Sequence, residues 1–516
     1  MPPMDRSAAL ARFSDSSEEW DVVVIGGGAT GLGIAVDAAT RGYRTALLEQ
    51  ADFSESTSSK STKLIHGGVR YLRGGEVSLV RESLRERGRL LRNAPGLVKP
   101  LSFVVPAYRW YERLYYGTGL TLYDLLAGEL GIRSTGHLSA AETTREIPNL
   151  RDRGLYGSTL YWDGQFDDAR LAVAMARTAD QHGAAVANHV RVEELVKEGG
   201  RVRGVVAADQ VTGESYRLTS KVVINATGVF TDSILQMDEA GGEEIIAPSQ
   251  GIHLVLDQRF LGGETAIMIP STDDGRVLFA IPWQNRMLLG TTDTGGVPVE
   301  LNPKPLNEEI DYLIDHAGRY LVEAPTHADI RAVFAGLRPL VKPGGGAEGA
   351  TSKISRSHAL MVSDSGLVTM TGGKWTTYRQ MAQDAVDRAA EIGGLEKRPC
   401  CTQELTLLGA EESDSTASGG ALLDEQLPYT EEDIDRAVAQ EMAVTLSDVL
   451  CRRTRALFLD VAAAERIAPS IADRMADRSG LGSRWIEGQL AELEQILPTY
   501  RPPTSQSPSW GESEGS

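Results

Sequence analysis

Residues 21–49, DVVVIGGGATGLGIAVDAATRGYRTALLE, decide the fold of this chain. An apolar, β-branched run over residues 22–25 stops at glycines, a helix-forming stretch follows, and a short second strand over residues 45–48 ends at Glu49. Gly26, Gly28 and Gly31 fit G-x-G-x-x-G, whose glycines allow a tight turn, close approach of a pyrophosphate and close helix–strand packing. We therefore predict a βαβ unit that binds a dinucleotide, with its phosphates at the helix N-terminus.

Glu49 completes this fingerprint. Its carboxylate can accept hydrogen bonds from ribose hydroxyls and would repel a 2′-phosphate, so NADP is disfavoured. A second glycine pattern, GGGAEG over residues 344–349, follows Pro343 with no strand before it and no helical pattern after it. We interpret that second match as a plain loop, which leaves a single credible fingerprint.

Composition restricts the class of protein. A chain of 516 residues is too long for one core, so two or three domains are expected. No stretch approaches the ~20 apolar residues of a membrane helix, and the polar N-terminus lacks a signal-peptide core, so we expect a cytoplasmic protein. The net charge of −19 argues against a nucleic-acid partner. The three cysteines indicate no disulfide framework, and no Cys/His spacing predicts a metal site.

Changes of pattern along the chain predict discontinuous α/β domains followed by helices. The predicted segments are a flexible N-terminal tail (1–19), a dinucleotide-binding domain (20–95, 155–248 and 350–395), an antiparallel-sheet substrate domain (96–154 and 249–349), a polar linker (396–428), an all-helical C-terminal domain (429–500) and a disordered tail (501–516).

Several further motifs resemble those of the FAD-dependent, quinone-linked glycerol-3-phosphate dehydrogenases. They are TSSKSTKLIHGGVRYLRGGEVSLVRESLRER (57–87), YWDGQFDDARL (161–171), INATGVFTDSI (224–234), GRVLFAIPWQNRMLLGTTDT (275–294), AGLRPL (335–340), TGGKWTTYR (371–379) and, in the C-terminal domain, MAVTLSDVLCRRTRALFLD (442–460). The resemblance implies a doubly wound, glutathione-reductase-like FAD domain. It also implies oxidation of sn-glycerol 3-phosphate to dihydroxyacetone phosphate, with electrons passed to membrane quinone.

The expected FAD contacts come partly from residue chemistry and partly from this resemblance. With one fingerprint, the reductant should be a small substrate rather than a nicotinamide. Hydroxyls of the Ser/Thr-rich segment suit pyrophosphate and ribityl oxygens, although a solvated loop has the same composition. Similarity places residues 373–376 at a helix N-terminus that would stabilise the anionic reduced ring. The residues predicted to bind FAD are Gly26, Gly28, Ala29, Thr30, Gly31, Glu49, Thr57, Ser58, Ser59, Ser61, Thr62, Lys63, Leu64, His66, Val192, Ala226, Thr227, Gly228, Gly373, Lys374 and Thr376.

An acidic protein needs a local cluster of cations to bind a phosphate ester. The family resemblance assigns the substrate site to Arg70, Tyr71, Arg338, Arg356 and Lys374. The planar guanidinium groups of Arg338 and Arg356 suit the phosphate, and Arg70 and Tyr71 would close over the substrate.

Oxidation at C2 also needs a base with a pKa near working pH, and the family places His66 near the flavin. The alternative is a structural histidine bonded to backbone. The predicted catalytic residues are His66, Lys374 and Arg338. Ser357 and His358 stand where the family has an acid and an aromatic residue, and the loop over residues 343–351 is unusually long, so the exact role of Arg356 stays open.

Residues 108–126 are aromatic and basic. An amphipathic stretch of this kind can lie in a membrane interface and reach quinone, whereas a helix packed inside the substrate domain would fit equally well. We expect peripheral attachment to the cytoplasmic face of the cell membrane, and the helical C-terminal domain offers a contact for a homodimer. The aromatic and basic side chains are Tyr108, Arg109, Trp110, Tyr111, Arg113, Tyr115 and Tyr116.

Three other functions stay open. A glycerol-3-phosphate oxidase that reduces O₂ would share these motifs. An FAD oxidase of another hydroxy acid or amino acid is opposed by HGGVRYL and GGKWTTYR. A flavin-bearing sensor without turnover would have no need of His66 and the arginine set.

Overall fold

The computed structural model describes residues 3–15, 19–73, 75–270, 272–273, 275–342, 358–409 and 420–502. Within them, two sheets of eight and ten strands form the framework. A group of C-terminal helices packs against the larger sheet.

The smaller sheet contains the βαβ unit predicted from residues 21–49. Its path is β17-β18-β10-β1-β2-β7, with β1 parallel to both β2 and β10. Both faces of β1 are covered, which explains its unbroken apolar sequence. The strands are β1 (Trp20–Ile25), β2 (Thr45–Leu48), β7 (Ala185–Ala187), β8 (Val190–Glu198), β9 (Arg201–Asp209), β10 (Ser215–Asn225), β17 (His358–Val362) and β18 (Val368–Gly372).

Three helices cover one face of this sheet: α2 (Ala29–Thr40), α7 (Asp168–Gln181) and α10 (Tyr378–Gly393). On the other face lies α1 (Arg6–Ser14), so the prediction of a flexible tail over residues 1–19 is wrong for this part. Asp5 caps α1, Phe13 is 2% exposed, and Arg6 forms an ion pair with Asp209 at 2.6 Å. The buried side chains of Ala9 and Phe13, one turn apart, hold this helix against the sheet.

The larger sheet follows the path β15-β11-β14-β13-β12-β4-β6-β3, with β16 on β11 and β5 on β6. It is antiparallel except where β12 runs parallel to β4. Because β6 pairs with β4 over its whole length, residues 157–166 belong here and not in the FAD domain to which they were assigned. The strands are β3 (Leu64–Ile65), β4 (Val98–Ala107), β5 (Gly136–Leu138), β6 (Gly157–Phe166), β11 (Ile246–Asp257), β12 (Ala266–Ile269), β13 (Leu278–Trp283), β14 (Arg286–Gly290), β15 (Thr294–Gly295) and β16 (Ala332–Val341).

The helices between these strands pack around the two sheets. α4 contacts both α3 and α5, and α5 also lies on β6. They are α3 (Val69–Arg73), α4 (Val77–Asn93), α5 (Glu112–Ala127), α6 (Ala140–Glu146), α8 (Thr231–Asp238) and α9 (Asn307–Tyr320).

The C-terminal domain is helical, as predicted, but it has no separate core. Leu450, Phe458 and Ile471 pack in one cluster with Ile281 and Phe334 of the larger sheet. The described part of the preceding linker is also anchored, because Leu407 is buried and its N–H donates to the carbonyl oxygen of Asn93. The helices are α11 (Glu431–Gln440), α12 (Leu446–Asp448), α13 (Ala456–Leu459), α14 (Val461–Ser479) and α15 (Ser483–Ile496).

Candidate active site

A cavity of about 720 Å³ lies where the carboxyl ends of β1, β10 and β18 meet the larger sheet. Carboxyl ends of parallel strands are where open α/β sheets bind their ligands. The cavity joins the predicted cofactor residues to the predicted catalytic ones. The predicted residues that line it are Gly26, Gly28, Ala29, Thr30, Glu49, Thr57, Ser58, Ser61, Thr62, Leu64, His66, Val192, Ala226, Thr227, Gly228, Arg338, Gly373, Lys374 and Thr376.

The glycine turn leaves no room for side chains. Gly26 has φ +107°, and a Cβ there would lie 2.7 Å from the carbonyl oxygen of Ala226. A Cβ on Gly31 would lie 1.8 Å from the carbonyl oxygen of Gly26, so Gly31 packs helix on strand and does not line the cavity. Ser58 Oγ accepts from the N–H of Ala29 at 3.0 Å, which ties the Ser/Thr-rich segment to the start of α2.

Glu49 sits at the cavity wall and is held by backbone. Its carboxylate accepts from the N–H of Gly27 at 2.5 Å and from the N–H of Ala51 at 2.9 Å. Burial raises the pKa of Glu49 to about 7, although the two backbone donors oppose that shift. Each carboxylate oxygen has a further lone pair, so the side chain can still accept from a ribose hydroxyl.

Two of the predicted cofactor residues turn away from the cavity. The Ser59 hydroxyl donates to the carbonyl oxygen of Glu55. Lys63 is fully buried, and its ammonium group donates to Asp168 at 2.7 Å and to the carbonyl oxygen of Ser59. Neither residue lines the cavity, and a carboxylate more than 100 residues along the chain holds the side chain of Lys63. The prediction that Lys63 binds FAD therefore stays a prediction that only its backbone could fulfil.

His66 follows the short strand β3 and faces the cavity. Thr376 Oγ accepts from the backbone N–H of His66 at 3.2 Å and donates to its carbonyl oxygen at 3.1 Å. Thr376 belongs to a short 3₁₀ turn, Trp375–Thr377, that leads directly into α10. The structure therefore brings together the two motifs HGG and GGKWTT, which are far apart in sequence.

Two of the predicted cationic side chains, Arg338 and Lys374, also line the cavity. Arg338 donates to the carbonyl oxygens of Gln250 at 3.2 Å and Thr292 at 2.9 Å. Lys374 Nζ lies 4.2 Å from the ring centroid of Tyr71, which does not itself line the cavity. These contacts fix the direction of both cations.

The structure describes only some of the other predicted substrate residues. Arg356, Ser357 and the loop over residues 343–351 lie outside the described residues, as does the side chain of Arg70. His358 bonds to Asp384 at 3.1 Å and does not line the cavity.

The predicted site lacked Lys60 and His253, which also line the cavity. Lys60 donates to Asn302 Oδ1 at 2.6 Å, and burial lowers its pKa to about 8. His253 bonds through Nε2 to Thr62 Oγ at 2.9 Å and stacks on Phe334. Burial, with the charges of nearby cations, holds the pKa of His253 well below its usual range. A polar residue within the apolar run HLVLD was the only sequence signal.

One trio of metal-ligand type occurs among the residues described: Asp52, His189 and Asp448. Arginines already occupy it. Arg452 and Arg453 each donate to Asp52 at 2.6 Å, and Arg452 also donates to Asp448 at 2.9 Å. The trio is therefore an ion-pair network between the FAD domain and the helical domain.

The polar groups around the large cavity fit FAD. The start of α2 can receive the pyrophosphate, the hydroxyls of the Ser/Thr-rich segment can bond its oxygens, and Glu49 can accept from the ribose. At the other end, Gly373 and Thr376 precede α10, whose N-terminal dipole favours negative charge on a nearby ring.

Known proteins agree with this geometry. Residues 21–379 match the family described as FAD dependent oxidoreductase, and residues 402–484 match the C-terminal domain of alpha-glycerophosphate oxidase. The mitochondrial glycerol-3-phosphate dehydrogenase of Macaca fascicularis is 39% identical over 96% of this chain and 75% of the relative. A probable mitochondrial glycerol-3-phosphate dehydrogenase of Caenorhabditis elegans is 38% identical over 93% of this chain and 73% of the relative.

A solved structure extends the comparison to three dimensions. The glycerol-3-phosphate dehydrogenase of Bacillus halodurans, complexed with FAD, superposes with a TM-score of 0.77 at 28% identity, over 98% of this chain and 99% of that one. The chain belongs to the family of FAD-dependent glycerol-3-phosphate dehydrogenases.

Proposed function

We propose that this enzyme oxidises sn-glycerol 3-phosphate to dihydroxyacetone phosphate and passes the electrons to a membrane quinone. The family membership supports the FAD-dependent oxidation. The observation that carries the proposal is the arrangement of one cavity, in which the FAD-binding turn at Gly26 and the residues His66, Arg338 and Lys374 share the same walls.

Arg338 and Lys374 would bind the phosphate. A phosphomonoester carries about −1.5 to −2 charges near pH 7, and a guanidinium fork matches its oxygens. Because a carbonyl oxygen of β11 and one of the loop between β14 and β15 orient Arg338, the guanidinium is set in place before substrate arrives. Preorganised charge of this kind lowers the cost of binding.

When bound, FAD would supply the acceptor for the hydride of substrate C2. His66 would accept the proton of the C2 hydroxyl, so that the carbon–oxygen bond becomes a ketone. His253 is a weaker candidate for this base. Its pKa is far below the usual range and its Nε2 is already bonded to Thr62.

The first test is anaerobic. The purified protein, with its bound yellow flavin, is mixed with sn-glycerol 3-phosphate and its visible spectrum recorded. Rapid bleaching is expected. A bound flavin that stays oxidised would reject the substrate, and a protein that binds no FAD after reconstitution would reject the assignment of the cavity.

The electron acceptor needs a separate measurement. A glycerol-3-phosphate oxidase is the second candidate, because residues 402–484 match a domain described from alpha-glycerophosphate oxidase. Peroxide formed in air, divided by substrate consumed, separates the two functions. We expect a low yield together with reduction of a soluble quinone analogue; one peroxide per substrate would favour the oxidase.

Peripheral membrane attachment is proposed through the outer face of α5 and the residues just before it. Among the described residues, no helix has the length and apolar character needed to cross a membrane. Trp110, Leu114 and Leu125 are each about 70% exposed, whereas Leu120 and Tyr123 on the inner face are buried. An exposed apolar face backed by a packed one suits a membrane interface. We propose the cytoplasmic side for this contact, as expected from the sequence.

Vesicle flotation tests this attachment. Replacement of Trp110, Leu114 and Leu125 by serine should abolish co-flotation with phosphatidylcholine vesicles, while turnover with a soluble acceptor is unchanged. The matched control replaces Val211 and Val322, which are exposed elsewhere, by serine. Wild-type protein that never floats would overturn the proposal. A homodimer formed through the helical domain stays a separate prediction.

A further inference from the structure

The peptide group that joins His66 to Gly67 is held from two sides. Thr376 Oγ donates to its carbonyl oxygen at 3.1 Å, and its N–H donates to the phenol oxygen of Tyr123 at 2.7 Å. Because a peptide group is planar and rigid, fixing its oxygen and its N–H fixes the orientation of the whole plane. That orientation sets the direction in which the backbone presents the side chain of His66.

Tyr123 is itself held by buried charges. It lies on the inner face of α5 and donates to Asp163 Oδ1 on β6 at 2.9 Å. Asp163 accepts from Arg87 on α4 at 2.7 Å, and none of the three is more than 4% exposed. A phenol that donates to a carboxylate becomes a stronger acceptor for the N–H of Gly67.

The packing leaves this turn little freedom. A Cβ on Gly67 would lie 2.5 Å from Leu84 Cδ2 and 2.7 Å from the phenol oxygen of Tyr123. Gly68 then adopts φ +78°, a conformation that suits glycine. The turn at Gly67 therefore packs directly against the phenol group of Tyr123.

We propose that Tyr123 is a positioning residue for the reaction: it orients the His66–Gly67 peptide group and so the base at C2 of the substrate. The inference rests on the proposed role of His66. Tyr123 does not line the cavity, so it acts through His66 and not on substrate or cofactor.

The test compares two buried tyrosines. Tyr123→Phe keeps the ring but removes the acceptor of the Gly67 N–H. We expect kcat to fall about 10- to 100-fold, because small displacements of a catalytic group cost that much. KM and flavin content should stay near wild type, and the His66 limb of the pH–rate profile should shift. Tyr161→Phe is the control, because its hydroxyl contacts Met268 Sδ instead of the turn.

A double-variant cycle identifies the route of the effect. In a His66→Asn background, Tyr123→Phe should lower kcat no further. If it lowers kcat by the same factor in both backgrounds, or behaves like Tyr161→Phe, the positioning role is overturned. If His66→Asn alone leaves turnover unchanged, the proposed function of His66 has failed instead.

A second variant keeps the inference testable if Tyr123→Phe does not fold, which thermal unfolding would reveal. Replacement of Tyr123 by 3-fluorotyrosine keeps both hydrogen bonds but weakens the phenol oxygen as an acceptor. It should shift the pH–rate profile in the same direction as Tyr123→Phe does, but by a smaller amount. An unshifted profile counts against the inference.

Discussion

Arginine side chains are held in different ways in the cavity and in the ion-pair network that joins the FAD domain to the helical domain. In the network, Arg452 and Arg453 both donate to the carboxylate of Asp52 and are at most 3% exposed. In the cavity, the side chain of Arg338 is 21% exposed and donates to backbone carbonyl oxygens, while Asp293 lies 3.7 Å away. Carboxylates at hydrogen-bond distance neutralise the charges of the network, whereas carbonyl oxygens orient Arg338 and its ion pair with Asp293 is longer.

This difference separates two kinds of substitution. Changes in the cavity should alter turnover or substrate binding and leave the free energy of unfolding almost unchanged. Changes in the network should do the opposite, because Asp52, Arg452 and Arg453 do not line the cavity. The following experiments test that separation.

His66→Asn should give the largest effect. Loss of a general base lowers turnover by about 10²–10⁴-fold. FAD content and the thermal midpoint should remain those of wild type. Anaerobic flavin reduction, followed by stopped flow, measures the step directly. His182→Asn, on the exposed end of α7, is the control, and a loss below tenfold for His66→Asn would remove it from the role of base.

Arg453→Met should break the network. Removal of one partner leaves buried Asp52 with incomplete compensation, which costs about 3–5 kcal/mol of the free energy of unfolding. The urea midpoint of the FAD-saturated protein measures this loss, while kcat of the folded fraction should not change. Arg478→Met removes an exposed pair with Asp435 and should cost about 0–1 kcal/mol. Equal losses from both variants would contradict the contrast between buried and exposed pairs.

The sequence predicts the parts of this molecule that depend on local pattern. The turn at Gly26 and Gly31 follows from glycine spacing, and the C-terminal helices follow from helical periodicity. The family resemblance adds the site residues that no local pattern identifies, and the relatives confirm that family. The roles assigned to His66 and Arg338 remain predictions.

Other features depend on tertiary contacts that the sequence does not reveal. Lys63 lies in sequence among Ser and Thr residues that line the cavity, but its ammonium group turns into the interior and pairs with the distant Asp168. His253 lines the cavity because it lies on β11, a strand of the larger sheet that is far from the glycine fingerprint in sequence. The helix α1 was missed because it is only nine residues long and contacts with distant parts of the chain, through Ala9, Phe13 and Arg6, hold it in place.

Arg338→Met should have a smaller effect, which falls mainly on substrate binding. Charge-assisted hydrogen bonds contribute about 1.5–3 kcal/mol, so KM should rise about 10- to 100-fold with a smaller change in kcat. Arg338→Lys keeps the charge without the planar fork and should recover part of the loss. Steady-state kinetics with a soluble acceptor measure both. Arg259→Met, an exposed arginine, is the control, and an unchanged KM for Arg338→Met would move phosphate binding elsewhere.

The smallest effect concerns pH and Glu441, which joins the helical domain to Arg170 through two bonds of 2.7 Å. Burial alone would raise the pKa of Glu441, but Arg170 and neighbouring arginines lower it from 4.5 to about 2. A carboxyl with a lowered folded-state pKa stabilises the fold above its unfolded pKa and loses that contribution as pH falls through the folded one. About 1 kcal/mol should therefore be lost between neutral pH and pH 3.5.

Unfolding of wild type and Glu441→Gln, compared from pH 7 to pH 3.5, isolates this contribution. The variant should be less stable at pH 7, and the difference should shrink as the medium becomes acidic. Glu494→Gln, an exposed glutamate on α15, should show no such convergence. A gap between wild type and Glu441→Gln that stays constant would mean that the carboxylate is not the titrating group. The acid sensitivity of the interdomain contact would then have to come from Asp52 and Asp448, whose carboxylates are bonded to Arg452 and Arg453 in the same network.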